Sequence, residues 1–322
     1  GQTTYAYCLL PIRSHQVPFR LLNISMCLMK MAWLILLGTS CLPESQSLAE
    51  VRGETRNVRA DESALIPAGE FWMGSPNGEG NSDEHPRHKV YLDAFYMDKY
   101  EVTVGHYRKC VAAGKCSPPM TGVGCNWRNP ERGENYPVNC VDWTQADSYC
   151  RWAGKRLPTE AEWERAARGG AETRYSFGND KSCYGDYAWN RENSGGKDYP
   201  LRFIAGRYLH LKKYVNSYGG LTHPVGQKKP NQYGLYDMYG NVWEWVSDWY
   251  DENYYRNSPR KNPQGPAIGA QHRLTWPGWQ GRRRVIRGGS WYHQATSSRR
   301  WGFRPSMWYD IVGFRCAANA AH

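Results

Sequence analysis

Cys150-Arg151-Trp152-Ala153-Gly154-Lys155-Arg156-Leu157-Pro158-Thr159-Glu160-Ala161-Glu162-Trp163-Glu164 holds the end of one helix and the start of another. Gly154 supplies the stop of the first. Thr159 with Glu162 three residues on forms a capping box, which leads to Trp163, Ala166 and Ala167 before Gly169-Gly170. Upstream, Asp142 with Gln145 is a second such box, and Trp143, Ala146, Cys150 and Ala153 follow at helical spacing. A third helix reads from about Val104 to Ala113, entered at Thr103 and closed by Gly114. Short β-like pieces (Phe71 to Met73, Val90 to Tyr96, Val285 to Arg287, Gly313 to Cys316) sit among stretches rich in Gly, Pro, Asn and Asp. The pattern is that of a loop-heavy α+β chain.

A chain of 322 residues, 40% apolar, can bury one large core or two modest ones, and a charged fraction of 22% excludes disorder as its main feature. No linker-like shift occurs between Ser63 and Cys316, which favours one domain. With 15 Trp and 23 Tyr against 7 Phe, the chain favours rings that keep one polar end wet. The net charge of +11 suits an acidic partner or an anionic surface, although an ordinary basic surface explains it as well. Arg282-Arg283-Arg284 could steer such a partner, but no nucleic-acid-binding module accompanies them and none is expected as partner.

Met29-Lys30-Met31 precedes an apolar run, Ala32 to Gly38, that is too short to cross a bilayer and ends in small residues before Cys41. This reads as a lipoprotein signal, with Cys41 the lipidated residue and a membrane reached through that lipid. Gly1 to Cys27 has no evident role, which places the start at Met29 or Met31. The expected division is residues 1–41 as early start plus signal, 42–62 as a flexible tether, and 63–322 as the folded domain. Export to the bacterial envelope, on its outer surface, agrees with the cysteines. Seven remain after Cys8, Cys27 and Cys41, with no Cys-x-x-Cys, so disulfides with one thiol left over are expected. Cys110 with Cys116 and Cys125 with Cys140 is one allowed pairing, leaving Cys183 free; the sequence does not choose among the alternatives.

The block from Cys150 to Glu164 resembles the formylglycine-generating enzyme (sulfatase-modifying factor) family. So do Ile66 to Ser75 (Ile-Pro-Ala-Gly-Glu-Phe-Trp-Met-Gly-Ser), Asp98 to Thr103, Asn231 to Trp245 (Asn-Gln-Tyr-Gly-Leu-Tyr-Asp-Met-Tyr-Gly-Asn-Val-Trp-Glu-Trp), Arg287-Gly288-Gly289-Ser290-Trp291 and Gly313-Phe314-Arg315-Cys316. They occur in the family's order, which is far more specific than one short motif. The resemblance implies a C-type-lectin-like fold with a small twisted antiparallel sheet, two main helices and much irregular structure. It also implies a disulfide between Cys150 and Cys316, and a structural calcium held by Asn241 and Glu244, whose side chains offer the oxygens a hard cation takes.

Enzymes of the family hold copper through two cysteines that follow the Gly-Gly-Ser by three and eight residues. Those positions here are His293 and Ser298, and no cysteine lies between Gly289 and Val312. A soft thiolate pair selects Cu(I), and imidazole with hydroxyl does not replace it. No catalytic cofactor and no catalysis are therefore expected. The competing reading is a metal-dependent oxidase that pairs His293 with another His or a carboxylate. Beyond Gly240 only His272, His293 and His322 are present, too few near one another to favour it. His85-x-x-His88 has no evident third ligand and reads as a turn.

Trp291 to Val312 shows neither helical nor strand period and mixes rings with Ser, Thr, Gly and Arg, the palette of adaptable binding surfaces. Among relatives of this fold it is closest in pattern to the variable proteins of diversity-generating retroelements, which include spirochaete surface lipoproteins. Those keep Gly-Gly-Ser-Trp and Gly-Phe-Arg fixed and vary the residues between. The resemblance implies a receptor or adhesin with a macromolecular, protein ligand. Its candidate contacts are Tyr292, His293, Thr296, Ser297, Ser298, Trp301, Phe303, Ser306, Trp308, Tyr309, Asp310 and Ile311.

Overall fold

The computed structural model describes residues 62–122, 124–195, 221–270 and 281–320. Cys41, its signal, most of the tether and His272 lie outside the described residues.

Among the described residues, nine strands and four helices are distributed among long loops. The strands are β1 (Ser63–Ile66), β2 (Gly69–Met73), β3 (His88–Leu92), β4 (Phe95–Asp98), β5 (Trp243–Trp249), β6 (Arg284–Arg287), β7 (Arg300–Phe303), β8 (Val312–Gly313) and β9 (Ala317–Asn319). The helices are α1 (Val104–Ala112), α2 (Trp143–Trp152), α3 (Glu160–Arg168) and the single turn α4 (Tyr184–Tyr187). Both capping boxes form as the sequence predicts. Gln145 N–H donates to Asp142 at 2.8 Å and Asp142 N–H to Gln145 Oε1 at 3.0 Å. Glu162 N–H donates to Thr159 Oγ1 at 3.1 Å and Thr159 N–H to Glu162 Oε2 at 2.8 Å. Gly169 ends α3 at φ 60°, a left-handed cap that suits glycine.

The sheet is divided into three: β1-β4-β9, the hairpin β2-β3, and the four-stranded β7-β6-β5-β8. The pairings between these strands are antiparallel except that of β5 with β8, which is parallel. The expected piece Val90 to Tyr96 is two strands, β3 and β4, which belong to different sheets. Alternation along β5 and β6 splits the core. Val246 and Val285 enter one apolar cluster with Trp163 and Tyr239, while Trp245 and Ile286 enter the other with Tyr107 and Phe314.

Disulfides join Cys110 to Cys116, Cys125 to Cys140 and Cys150 to Cys316, and Cys183 is free and exposed. The third ties α2 to the chain entering β9. No helix among the described residues is long and apolar enough to cross a membrane.

Candidate functional site

The loop that follows β6 starts at a turn only glycine fits. Gly288 has φ 96°, and a Cβ there would stand 2.9 Å from Trp163 Cζ2; Gly289 has φ 77°, and a Cβ there would stand 2.6 Å from the His293 carbonyl oxygen. Beyond it, Ser290 N–H donates to the His293 carbonyl at 2.9 Å and His293 N–H to the Ser290 carbonyl at 3.1 Å. Trp291 N–H donates to the Asn241 carbonyl at 2.7 Å, which fastens the turn to the Asn231–Trp245 block.

The floor of the loop is an ionic network shut off from water. Arg287 donates through Nη1 to the Ser298 carbonyl at 2.7 Å and through Nη2 to the Ser297 carbonyl at 2.8 Å and Glu164 Oε2 at 2.6 Å. Arg300 grips Glu160 in bidentate fashion, at 2.7 Å to each oxygen. Burial alone would raise the Glu164 carboxyl, but Arg168 and Arg287 beside it hold it below the ordinary range. Arg287 is thus a structural residue.

Two of the candidate contacts are corrected. Ser297 is wholly buried and Ser298 is 4% exposed. Ser297 Oγ lies 3.0 Å from Tyr239 Oη, and Ser298 Oγ lies 2.7 Å from Ser75 Oγ. These two hydroxyls satisfy buried partners and do not face solvent. One strand, β7, forms within Trp291 to Val312 although that stretch shows no strand period. In β7 the inward positions are Arg300 and Gly302, so the usual apolar alternation is absent although the strand forms.

The other candidates are each at least partly open to solvent. Trp301 and Trp308 are 39% and 42% exposed. Trp301 pairs with Ile286, and Phe303 packs on Trp245 and Tyr309. Phe303, Tyr309 and Ile311 are half-buried over the second apolar cluster, and Ser306 is exposed. Tyr292 stands edge-on to Trp291 and His293. Asp310 is half-buried, and burial pushes its carboxyl up to about 6. His293 is exposed at its rim, yet its Nδ1 edge faces inward, 3.4 Å from Trp243 Nε1 and 3.2 Å from Ser290 Oγ. Desolvation of that edge, with Arg299 nearby, lowers the imidazole to about 4. Sequence reasoning missed two cations here: Arg299, 5.3 Å over the Trp301 ring, and Arg191, 5.5 Å over Tyr292. A wide groove of about 1040 Å³ between α1, the end of α2 and residues 224–227 shares no residue with this surface.

Neither metal of the family fits these side chains. Glu244 accepts from Arg315 at 2.8 and 2.7 Å and from Trp163 Nε1 at 2.8 Å. Asn241 Oδ1 accepts the His223 N–H at 2.9 Å, and its amide donates to Glu101 at 2.6 Å. The oxygens assigned to calcium are therefore occupied by protein donors, a correction to that expectation. At the copper positions the Ser298 hydroxyl is committed to Ser75 and Thr296. No group of three or more His, Cys, Asp or Glu that could hold a metal occurs among the described residues. His85 and His88 bond locally to the Glu79 and Pro86 carbonyls.

Comparison with known proteins gives the context. The sulfatase-modifying factor enzyme 1-like domain family matches residues 48–320. The formylglycine-generating enzyme of Streptomyces coelicolor is 35% identical over 324 residues, covering 86% of this chain and 96% of that protein. The inactive Cα-formylglycine-generating enzyme 2 of Mus musculus is 30% identical, covering 79% of this chain and 85% of that one. Among solved structures, Treponema denticola variable protein 1 superposes with a TM-score of 0.59 at 26% identity, over 80% of this chain and 95% of its own. Block order, fold and extended similarity agree, and the chain belongs to the sulfatase-modifying factor (formylglycine-generating enzyme) family.

Proposed function

We propose that the chain is a non-catalytic member of the family, a lipid-anchored bacterial surface protein whose loop 291–312 binds a protein ligand. One observation carries the reading: a hydroxyl–hydroxyl contact, Ser298 to Ser75, stands where the family's enzymes need a thiolate. In the same loop, Trp301, Trp308 and His293 offer rings to solvent on a frame fixed from below, an arrangement suited to recognition. The variable protein of T. denticola supports the same reading from the fold side, as does the existence of an inactive mammalian relative. Three disulfides suit an oxidising compartment, in keeping with export and a lipid on Cys41.

The 35% identity to the S. coelicolor enzyme favours a second reading, oxidation of a substrate cysteine. The two are separated by incubating the protein with one equivalent of Cu(I), oxygen and a cysteine-containing sulfatase peptide. No aldehyde and no stoichiometric copper retention are expected. Aldehyde formation, or retained copper that His293→Ala releases, would overturn the binding reading. Sequencing of the gene and its neighbourhood across isolates gives the positive arm. Substitutions should concentrate in codons 292–312 and spare Gly288 to Trp291 and Gly313 to Arg315.

A further inference from the structure

Three consecutive carbonyls at the end of the candidate loop are held from behind by three separate donors. Cys140 N–H donates to the Tyr309 carbonyl at 3.1 Å and Trp243 N–H to the Ile311 carbonyl at 2.7 Å. Between them, Asn139 Nδ2 donates to the Asp310 carbonyl at 2.7 Å. Each bond takes a main-chain oxygen, a group every residue type carries, so none depends on which side chain stands at 309, 310 or 311. Those three residues are half-buried, and their side chains start from a fixed backbone.

The donors are themselves fixed. Asn139 is wholly buried; its Oδ1 accepts the Asn126 N–H at 2.7 Å, and its amide also donates to the Gly124 carbonyl at 2.8 Å. Those two bonds set the plane of the carboxamide and leave its second proton for Asp310. The Cys125–Cys140 disulfide joins the same two stretches of chain. Cys140 has φ 57°, in the left-handed region that residues other than glycine seldom adopt and that persists where the surroundings over-determine it. Its sulfur is bonded to Cys125, its carbonyl accepts the Met120 N–H at 3.2 Å, and its N–H is aimed at Tyr309. Asp310 leans on this stretch as well, since a Cβ at Gly124 would stand 2.5 Å from Asp310 Oδ2.

We propose that Asn139 and Cys140, locked by the Cys125–Cys140 disulfide, are positioning residues of the binding face: they hold the main chain of Tyr309 to Ile311 still while its side chains select the protein ligand. The proposal rests on the reading of 291–312 as that face, and adds the device by which its specificity changes without its backbone moving. Ser297 and Ser298 are the contrast, because there the side chains themselves make the buried bonds.

The test is amide hydrogen exchange of the isotope-labelled full chain, with titration of the Asp310 carboxyl by carbon-13 NMR. In the unaltered protein Cys140 and Val312, whose N–H groups share the Tyr309 carbonyl, should show one common protection factor. Asn139→Ala should speed exchange at both by about five- to hundredfold and leave the amides of β4 and α3 unchanged. It should also bring the Asp310 carboxyl from about 6 down towards the ordinary aspartate value of about 4. Tyr309→Ser should leave exchange at Cys140 as it was. Faster exchange spread evenly over β4 and α3, an Asp310 carboxyl that stays near its value in the unaltered protein, or exchange at Cys140 that follows the side chain at 309 would overturn the assignment. Should Asn139→Ala fail to fold, the unaltered protein decides: unequal protection of Cys140 and Val312 would show that the two do not open as one unit. Aldehyde formation in the copper assay would instead remove the binding face without changing any exchange rate, so the two failures are distinct.

Discussion

Arg287 and Glu164 meet at 2.6 Å with neither side chain open to solvent, and the same guanidinium reaches the carbonyls of Ser297 and Ser298. One residue therefore couples α3 to β6 and supports the floor of the candidate loop. Replacing it with Met removes the cation, leaves Arg168 as the one cation on Glu164, whose Oε1 also accepts the Gly74 N–H, and takes the donor from two carbonyls. Breaking one side of a buried ionic network costs about 3–5 kcal/mol. Arg287→Met should lower the denaturant midpoint accordingly, with little change in the slope of unfolding.

The two exposed indoles are expected to behave differently from their buried neighbour. Trp301→Ala and Trp308→Ala should each change stability by no more than about 0.5–1 kcal/mol, as surface substitutions do. Trp245→Ala, by contrast, empties a wholly buried site and should cost about 3–5 kcal/mol. Thermal unfolding of the three variants checks the contrast. A large loss at Trp301 or Trp308 would place that ring in the core and remove it from the contact surface.

What could be read in the sequence was what is local. Asp142–Gln145 and Thr159–Glu162 satisfy helix N–H groups three residues away, so their meaning survives without tertiary context. β7 escaped because its inward residues are Arg300 and Gly302, made tolerable by Glu160, which lies 140 residues away in the chain. Ser297 and Ser298 looked like surface hydroxyls for the same reason: their partners Tyr239 and Ser75 are 58 and 223 residues distant. Asn241 and Glu244 carry the oxygens calcium needs, but nothing in their spacing shows that His223, Arg315 and Trp163 take them first.

The Cys150–Cys316 disulfide closes a loop with a sequence separation of 166. Loop-closure entropy for that length corresponds to about 5 kcal/mol of stabilisation through the unfolded chain. Cys150→Ala with Cys316→Ala should lose several kcal/mol, and removal of the Cys110–Cys116 link, with a separation of 6, should lose less. Calorimetry of the two double variants tests the order. An equal loss would show that packing of the bridge, and not chain entropy, sets its value.

Asp248 supplies a pH signature that can be measured apart from any ligand. It is 2% exposed, and burial, with Glu160 next in effect, pushes its carboxyl up to about 7. In the unfolded chain an aspartate loses its proton near 4, so folding binds a proton between those values. The contribution is therefore fully present below about pH 4 and is lost as pH rises through about 7. Asp248→Asn keeps an oxygen able to accept from the Glu160 N–H and Ser247 Oγ, which Asp248 Oδ2 does at 2.8 and 2.9 Å, but carries no charge. It should accordingly stabilise the protein at pH 8 by as much as about 3 kcal/mol and much less at pH 5. Chemical denaturation at the two pH values decides it: equal effects would mean that Asp248 is ionised in the folded protein throughout this range.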